Sequence, residues 1–595
     1  MKNMRDHKLL KAIKPDDDSC PSSFILQPIY LSSYKDSYVL LILFLLTAVF
    51  FHNVIFSWNN HVLSDPGTDL RHQLFYWRYF GFESIKNGEI PLWNPYIYSG
   101  MPFVAGMQSA IFYPLNWIYL VLPIDLAINY SIILHVYLSG VFTFYLSKTL
   151  GVARFSAMVS AIIFMFCAPQ IFHIYPGHLP NLCTMIWLPL VLLMLELAIK
   201  KSKVIYALLG GTAIAFQILA GHPQYLFYSS IAVSLYFVIR AGIEINEKRD
   251  WRNGLFSFAL FLIMFGSGVF LAAVQLIPGI EMIKYSTRQD LDFDWVSVFS
   301  FPPENFITWL VPEFFGNLLD VPYWGRFYLW EMSAYVGIFS VIFVGIAVSS
   351  KKNKYTVIFI SISFICLFIA LGKYTPLLHL LYNYVPGFDK FRGNSKFIFV
   401  VAFSMAMLAG FGCDIITNDE NSKTKKFKRF YFVFSVITGI VIILCVSFIY
   451  FYKTGSLSWP ALMAKSYSYG ERYIPSPPQL LDLQFVNEAF NVASKSIIIF
   501  VVNLAICFCV VTLLVKKILN CNIIKLLITA IIFIDLWLYG AKYMKTFDVT
   551  DCLWDQDMVE FLNSESEQPF RAISFGSSAE NQGMAHKVGN IGGYD

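Results

Sequence analysis

Long apolar runs alternate with short polar connections along almost the whole chain. The runs are roughly 18 to 25 residues long, enough for each to cross a bilayer as a helix. About thirteen spans are predicted on this pattern, centred near residues 47, 138, 164, 189, 212, 232, 266, 340, 364, 406, 441, 506 and 532. The first 37 residues are polar. The run from Tyr38 to Phe56 is too long for the core of a signal peptide and is followed by no small-residue cleavage site, so it predicts an uncleaved first span. The pattern is that of an all-α polytopic membrane protein.

Composition sharpens this picture. Of 595 residues, 57% are hydrophobic, 17% aromatic and only 14% charged, against about 25% charged in a soluble domain. The net charge of +5 is no nucleic-acid signature, because the basic residues sit in short clusters between spans. The ten cysteines are scattered with no zinc or disulfide spacing, and "CFC" at 507–509 reads as apolar packing.

Charge also predicts orientation. Lys2, Arg5, Lys8, Lys11 and Lys14 precede the first span, and "KKSK" (200–203), "EKRDWR" (247–252), "SKKNK" (350–354), "KTKKFKR" (423–429) and "KK" (516–517) fall on the same side. The opposite connections "HIYPGH" and "AGHPQ" carry no lysine or arginine. This is the pattern of a cytoplasmic amino terminus. The segments 57–127, 279–330, 373–395 and 453–494, and the tail from 543, are then expected outside the cytoplasm. They are rich in Trp, Tyr, Pro and Gly, which predicts ordered loops. "SPPQLLDLQFVNEAFNVASK" (476–495) reads either as a helix lying on the membrane surface or as one packed over the span ends. The tail "DQDMVEFLNSESEQPFRAISFGS" reads as a helix and then a strand, the start of a small α/β unit with no closing element, as in a fragment of a longer protein.

The densest chemistry is "HVLSDPGTDLRHQLFYWRYFGF", directly after the first span. Asp65 and Asp69 stand four residues apart, one face of a helix, and a carboxylate there suits deprotonating a hydroxyl or holding a divalent cation. Arg71 and His72 suit a phosphate or sugar. Trp77, Trp93, Tyr96 and Tyr98 suit stacking on a sugar ring, or anchoring the loop at the interface as aromatics there ordinarily do. A loop aspartate is ordinarily a cap or a solvated charge. There is no GxxxxGK[ST] loop, and outer loops have no access to cytoplasmic nucleotides, so any donor would arrive within the membrane.

Further stretches carry a resemblance. "GEIPLWNPYIYSGMPFVAGMQSAIFYP" (88–114), "ILAGHPQYLFY" (218–228), "FPPENFITWLVPEFFG" (301–316), "YWG" (323–325), "EMSAYVG" (331–337) and "LGKYTPLLHLLYNYVPGFDKFRGNSKF" (371–397) together resemble the bacterial YfhO-like membrane protein family, in the same order, over roughly residues 60 to 540. Members are regarded as GT-C type glycosyltransferases or close relatives. The resemblance implies a multi-span bundle (38–542) in a bacterial cytoplasmic membrane. It implies an essential first-loop aspartate and transfer of a sugar from a polyprenyl-phosphate carrier to a cell-envelope polymer, lipid or protein. "GTDLRHQLFYWR" matches the aspartate segment, with Asp69 as the implied catalytic group and Asp65 in reserve, although Thr68 stands where the family often has Gly before its Asp.

In an inverting transfer, Asp69 would deprotonate the acceptor hydroxyl or bind an activating Mg or Mn ion. For the leaving phosphate, Arg392 and Lys396 come first, then Arg288, Arg326 and His222, with His178 at a second outer turn. Each of these cations is otherwise a surface or snorkelling base, and each histidine a helix-end group. Glu304 and Glu331 suit an acceptor, a metal, a cap or an ion pair, and Asp535, inside a span, suits locking helices together. Asp69, Arg392 and His222 are expected to converge. A flippase for a lipid-linked saccharide is the competing reading, and would spread ionisable groups along the spans, whereas here they crowd at the outer ends. A scaffold of the same shape without activity is the third.

Overall fold

The computed structural model describes residues 34–56, 60–248, 251–286, 291–350, 353–417, 425–454, 458–468, 482–564, 571–573 and 581–593. Arg288 and residues 476–481 lie outside them. Every predicted span centre falls on a helix, but the helices are unequal. Eight are long and apolar enough to cross a bilayer: Ile124–Thr149, Leu179–Lys201, Pro223–Glu247, Trp251–Leu271, Asn394–Thr417, Lys428–Lys453, Leu483–Val515 and Cys521–Tyr543. The chain is a multi-pass membrane protein. Other predicted centres fall on the shorter helices Arg154–Phe166, Val204–Leu219, Ile338–Ser349 and Lys354–Ala370, and the first on Tyr34–Phe50.

The shortening has local causes. Arg154–Phe166 stops where Cys167 turns extended (ψ 154°) just before Pro169. Ile338–Ser350 cannot start earlier, because Gly337 before it is left-handed (φ +85°). Conversely, the segment read as a surface helix is the opening of Leu483–Val515, capped by Asp482, whose carboxylate accepts from the Gln484 N–H at 2.9 Å. No Gly or Pro interrupts it, so its 33 residues run as one helix. At about 1.5 Å per residue it is longer than a hydrocarbon core of about 30 Å, and its first turns stand clear of that core.

Burial sorts the helices into inner and outer. Leu179–Lys201 is 94% buried and Asn394–Thr417 83%, whereas Lys428–Lys453 is 6% buried and faces the surroundings. The inner helices approach closely over small residues. A Cβ on Gly412 would meet the Phe343 carbonyl, and one on Gly410 the Ser160 hydroxyl. Buried carboxylates are paired: Asp36 with Lys148 (2.5 Å) and Arg154 (2.8 Å), and Glu196 with Arg240 (3.4 Å) and Lys200 (3.5 Å). Inside the bundle, Asp535 accepts from the Tyr335 hydroxyl (2.6 Å), the Ile338 N–H (3.0 Å) and the Asn503 amide (2.7 Å), joining three helical segments.

The loop after the first helix is folded by the tail. His61–Leu63 pairs antiparallel with Thr546–Asp548, Val62 facing Phe547. On its other edge the Asn129 side chain plays the part of a strand, accepting from Leu63 N (2.9 Å) and donating to His61 O (2.8 Å). The tail helix Gln556–Ser564 is followed by Arg571–Ala572, which pairs in parallel with Gly589–Asn590.

Candidate active site

Asp65 and Asp69 emerge directly from the His61–Leu63 strand, held from both sides. The Asp65 N–H donates to Tyr175 O at 2.9 Å, and its Oδ1 accepts from Gly67 N at 3.0 Å, an Asx turn. Thr68 Oγ1 closes the turn with bonds to Asp65 O and Ser64 Oγ, both at 2.6 Å. Asp69 then begins a π-helical turn, Leu70–Leu74, before the helix Phe75–Lys86. Such turns are unusual and frequent at functional sites.

Across from it runs the connection 172–178. Gly177 is left-handed (φ +71°), and a Cβ there would lie 2.4 Å from Leu70 Cβ and 2.6 Å from Leu70 N. Only glycine lets the two loops come this close. The approach brings His178 Nε2 to 3.3 Å from Asp69 Oδ2. His178 Nδ1 is 3.2 Å from His173 Nδ1, and His173 Nε2 is 2.6 Å from the Tyr225 hydroxyl. His222 Nδ1 accepts from Tyr225 N at 3.2 Å, so this histidine caps its helix, and its ring lies 5.0 Å from that of Tyr225.

One assignment of protons satisfies the whole chain. A phenol donates to His173 Nε2, which leaves His173 Nδ1–H to donate to His178 Nδ1, which leaves His178 Nε2–H to donate to the Asp69 carboxylate. The polarity runs from the buried tyrosine out to the aspartate. Burial, with the positive charge of His178, Lys396 and His222, holds the His173 pKa well below the ordinary histidine value, so it stays neutral. The Asp69 side chain is 43% exposed and that of His178 17%, whereas His173 is 3% exposed. The carboxylate is open to a reactant and the far end of the chain is closed.

Lys396 stands close enough to act on His173, but it is not a bare cation: its Nζ is 2.7 Å from Glu331 Oε1, both side chains being largely buried. Trp330 lies edge-on to His178 (6.3 Å) and close to Tyr175 (6.4 Å). Arg392 is exposed, its guanidinium over Trp295 (5.0 Å) and Phe299 (5.5 Å), and its carbonyl accepts from Gln224, which also donates to Tyr228. Asp69, His222, Lys396 and Glu331 thus meet around His173 and Tyr225, with Arg392 one hydrogen-bonded residue further out.

Other expected residues sit elsewhere. Arg326 is buried, bonded to Glu304 Oε1 and the Tyr374 hydroxyl (both 2.7 Å), so these groups serve each other. Trp77 is 1% exposed against Phe103, a core side chain with no face for a sugar. Trp93 is exposed on the hairpin with Met101–Pro102, and the Tyr96 ring packs on Phe80 while its carbonyl accepts from the tail at Asn590 N. The His72 carbonyl accepts from Asn581, and burial, then Arg71, lowers its ring pKa. The Asp65 carboxylate faces Tyr175, whose phenol pKa is raised by burial and then by that charge. Among the described residues, no group of three or more His, Cys, Asp or Glu side chains could hold a metal ion.

His173 and Tyr225 escaped the sequence reading altogether, and His178 was read toward a phosphate or metal rather than toward Asp69. The available signal was the pair of histidines flanking "IYPG".

No family model matches the chain, and neither does any curated protein. Among solved structures, the chain is similar to the archaeal oligosaccharyltransferase AglB from Archaeoglobus fulgidus in complex with an inhibitory peptide and a dolichol-phosphate. That match has 13% identity and a TM-score of 0.46, over 94% of this chain and 64% of that one. It is also similar to ArnT from Cupriavidus metallidurans bound to undecaprenyl phosphate, at 9% identity and a TM-score of 0.45, over 94% of this chain and 85% of that one. The chain thus spans 64% of the length of the oligosaccharyltransferase.

Proposed function

We propose that the chain is an inverting membrane glycosyltransferase of the YfhO-like, GT-C type, carrying a sugar from a polyprenyl-phosphate donor to a cell-envelope acceptor outside the cytoplasm. The observation that carries this reading is the exposed Asp69 carboxylate backed by His178, His173 and Tyr225. A carboxylate that is open on one side and held by a neutral imidazole on the other suits a general base. Asp69 takes the proton of the acceptor hydroxyl as its oxygen attacks the anomeric carbon. The bond from that carbon to the donor phosphate breaks, and its electron pair leaves with the phosphate. Arg392 and Lys396 meet the charge that develops there. Asp65, engaged in its turn, positions the loop.

Asp535 is the ionisable group that a transport path through the bundle would need, and it is spent on Tyr335, Ile338 and Asn503. The enzyme reading is therefore favoured over the flippase.

The test is transfer by the purified protein, offered polyprenyl-phosphate sugars and envelope acceptors. Asp69→Asn is expected to lower transfer by about 10²–10⁴-fold, the usual contribution of a general base, with folding intact, and Asp65→Asn by far less. Unchanged transfer in Asp69→Asn sinks the base assignment. Donor binding without transfer over a broad acceptor panel sinks the enzyme.

A further inference from the structure

We infer that a cavity beside Arg78, built from residues other than the Asp69 cluster, binds the phosphate headgroup of a lipid. Arg78 lies on the helix Phe75–Lys86 and is 0% exposed. Its Nη1 donates to Gln108 O at 2.6 Å and to Ser109 O, while its Nε and Nη2 are buried without a hydrogen-bond partner. Among the described residues no carboxylate forms an ion pair with it, and the groups that feel its charge, Tyr119, His135 and Cys183, are neutral. A buried guanidinium with two idle N–H groups and no anion is costly in a folded protein, and an anion relieves that cost.

The space for one is present. Arg78 lines a cavity of about 220 Å³ together with Lys86, Tyr119, Phe82 and the start of the helix at Ile124. The Tyr119 hydroxyl faces the guanidinium and has no partner of good hydrogen-bond geometry. Ile124 opens a 26-residue helix with no side-chain cap, so its first N–H groups and its positive dipole end face the same region. Glu83 also lines the cavity, but it is held by Lys86 at 2.7 Å.

Two guanidinium N–H groups, a phenol, an ammonium and helix N–H groups are more donors than a carboxylate's two oxygens accept, and they suit a phosphate. The wall next to them is apolar. The short helix carrying Tyr119 exposes Trp117 (54%), and Val121 (81%) follows it, as residues at a membrane interface do. That places an acyl chain beside the headgroup site.

The test uses the full chain in detergent, with its thermal unfolding midpoint followed as dioctanoyl phosphatidic acid, the matching diacylglycerol or inorganic phosphate is added. Phosphatidic acid is expected to raise the midpoint saturably, diacylglycerol to leave it unchanged, and inorganic phosphate to act only at much higher concentration. Arg78→Gln and Lys86→Glu are each expected to weaken the phosphatidic acid effect about tenfold or more, the worth of a charge-assisted hydrogen bond. Should Arg78→Gln not fold, Lys86→Glu with Tyr119→Phe carries the comparison, since neither removes a bond that holds the loop. Equal effects in the variants and the wild type overturn the site, and an equal effect of inorganic phosphate overturns the lipid as its ligand.

Discussion

Buried between Tyr225 and His178, His173 can take a proton only by breaking one of the two hydrogen bonds it makes as a neutral ring. Its folded pKa lies well below the ordinary histidine value. Above a pH of about 6.5 both folded and unfolded chains carry it neutral, and it imposes no penalty. Below that pH the unfolded chain binds a proton that the folded one refuses. Stability is then lost at about 1.4 kcal/mol per pH unit until the folded pKa is reached. His72 and His586, whose pKa values are also lowered, act in the same direction. Unfolding midpoints measured from pH 7.5 downward are therefore expected to fall below a pH of about 6.5, and His173→Gln to flatten the slope. An identical slope in that variant removes His173 as the source. His178→Gln should preserve the fold, because the ring is at the surface of the chain, yet change the pH profile of transfer as well as its rate.

At the scale of elements, the site depends on two loops that touch at Gly177. Placing an alanine there forces a left-handed Cβ residue, at about 1–2 kcal/mol, and drives its Cβ into Leu70. Gly177→Ala is expected to lose about 2 kcal/mol or more of stability and to separate His178 from Asp69, so that transfer falls toward the level of His178→Gln. An alanine variant with wild-type midpoint and transfer contradicts the close approach. The helices show the same dependence on single residues. Gly337 decides where Ile338–Ser350 begins, and an uninterrupted helix-compatible stretch from Leu483 merges a supposed surface helix with a span.

Across the whole molecule, the tail and the first loop form one unit. Beyond the Val62–Phe547 pairing, Tyr76 donates to Cys552 O at 2.9 Å, Arg71 pairs with Asp551 at 3.7 Å and Tyr98 N donates to Gly592 O at 3.0 Å. Phe547 is 3% exposed, and its replacement by Ala is expected to cost about 3–5 kcal/mol. The loss should appear first as faster amide exchange in residues 61–70, with the central helices unaffected, since each contact lies at the loop end. Protection unchanged in 61–70 means the Asn129 side chain alone holds the strand.

The apolar pattern alone located the helices, because burial in lipid or protein demands long apolar runs wherever backbone groups must bond to themselves. It located the loop aspartates for the same reason, as charges kept out of those runs. It set neither helix ends nor partners. Eight helices have the length of a span and others do not, since single residues such as Cys167 and Gly337 end them and no periodicity carries that information. That Asp69 faces His178, that Glu331 holds Lys396, and that Trp77 is core rather than a sugar platform were decided by contacts between residues far apart in the chain. Such contacts exist only once the loops are packed, since a side chain's role follows from what the fold sets within a few ångströms of it.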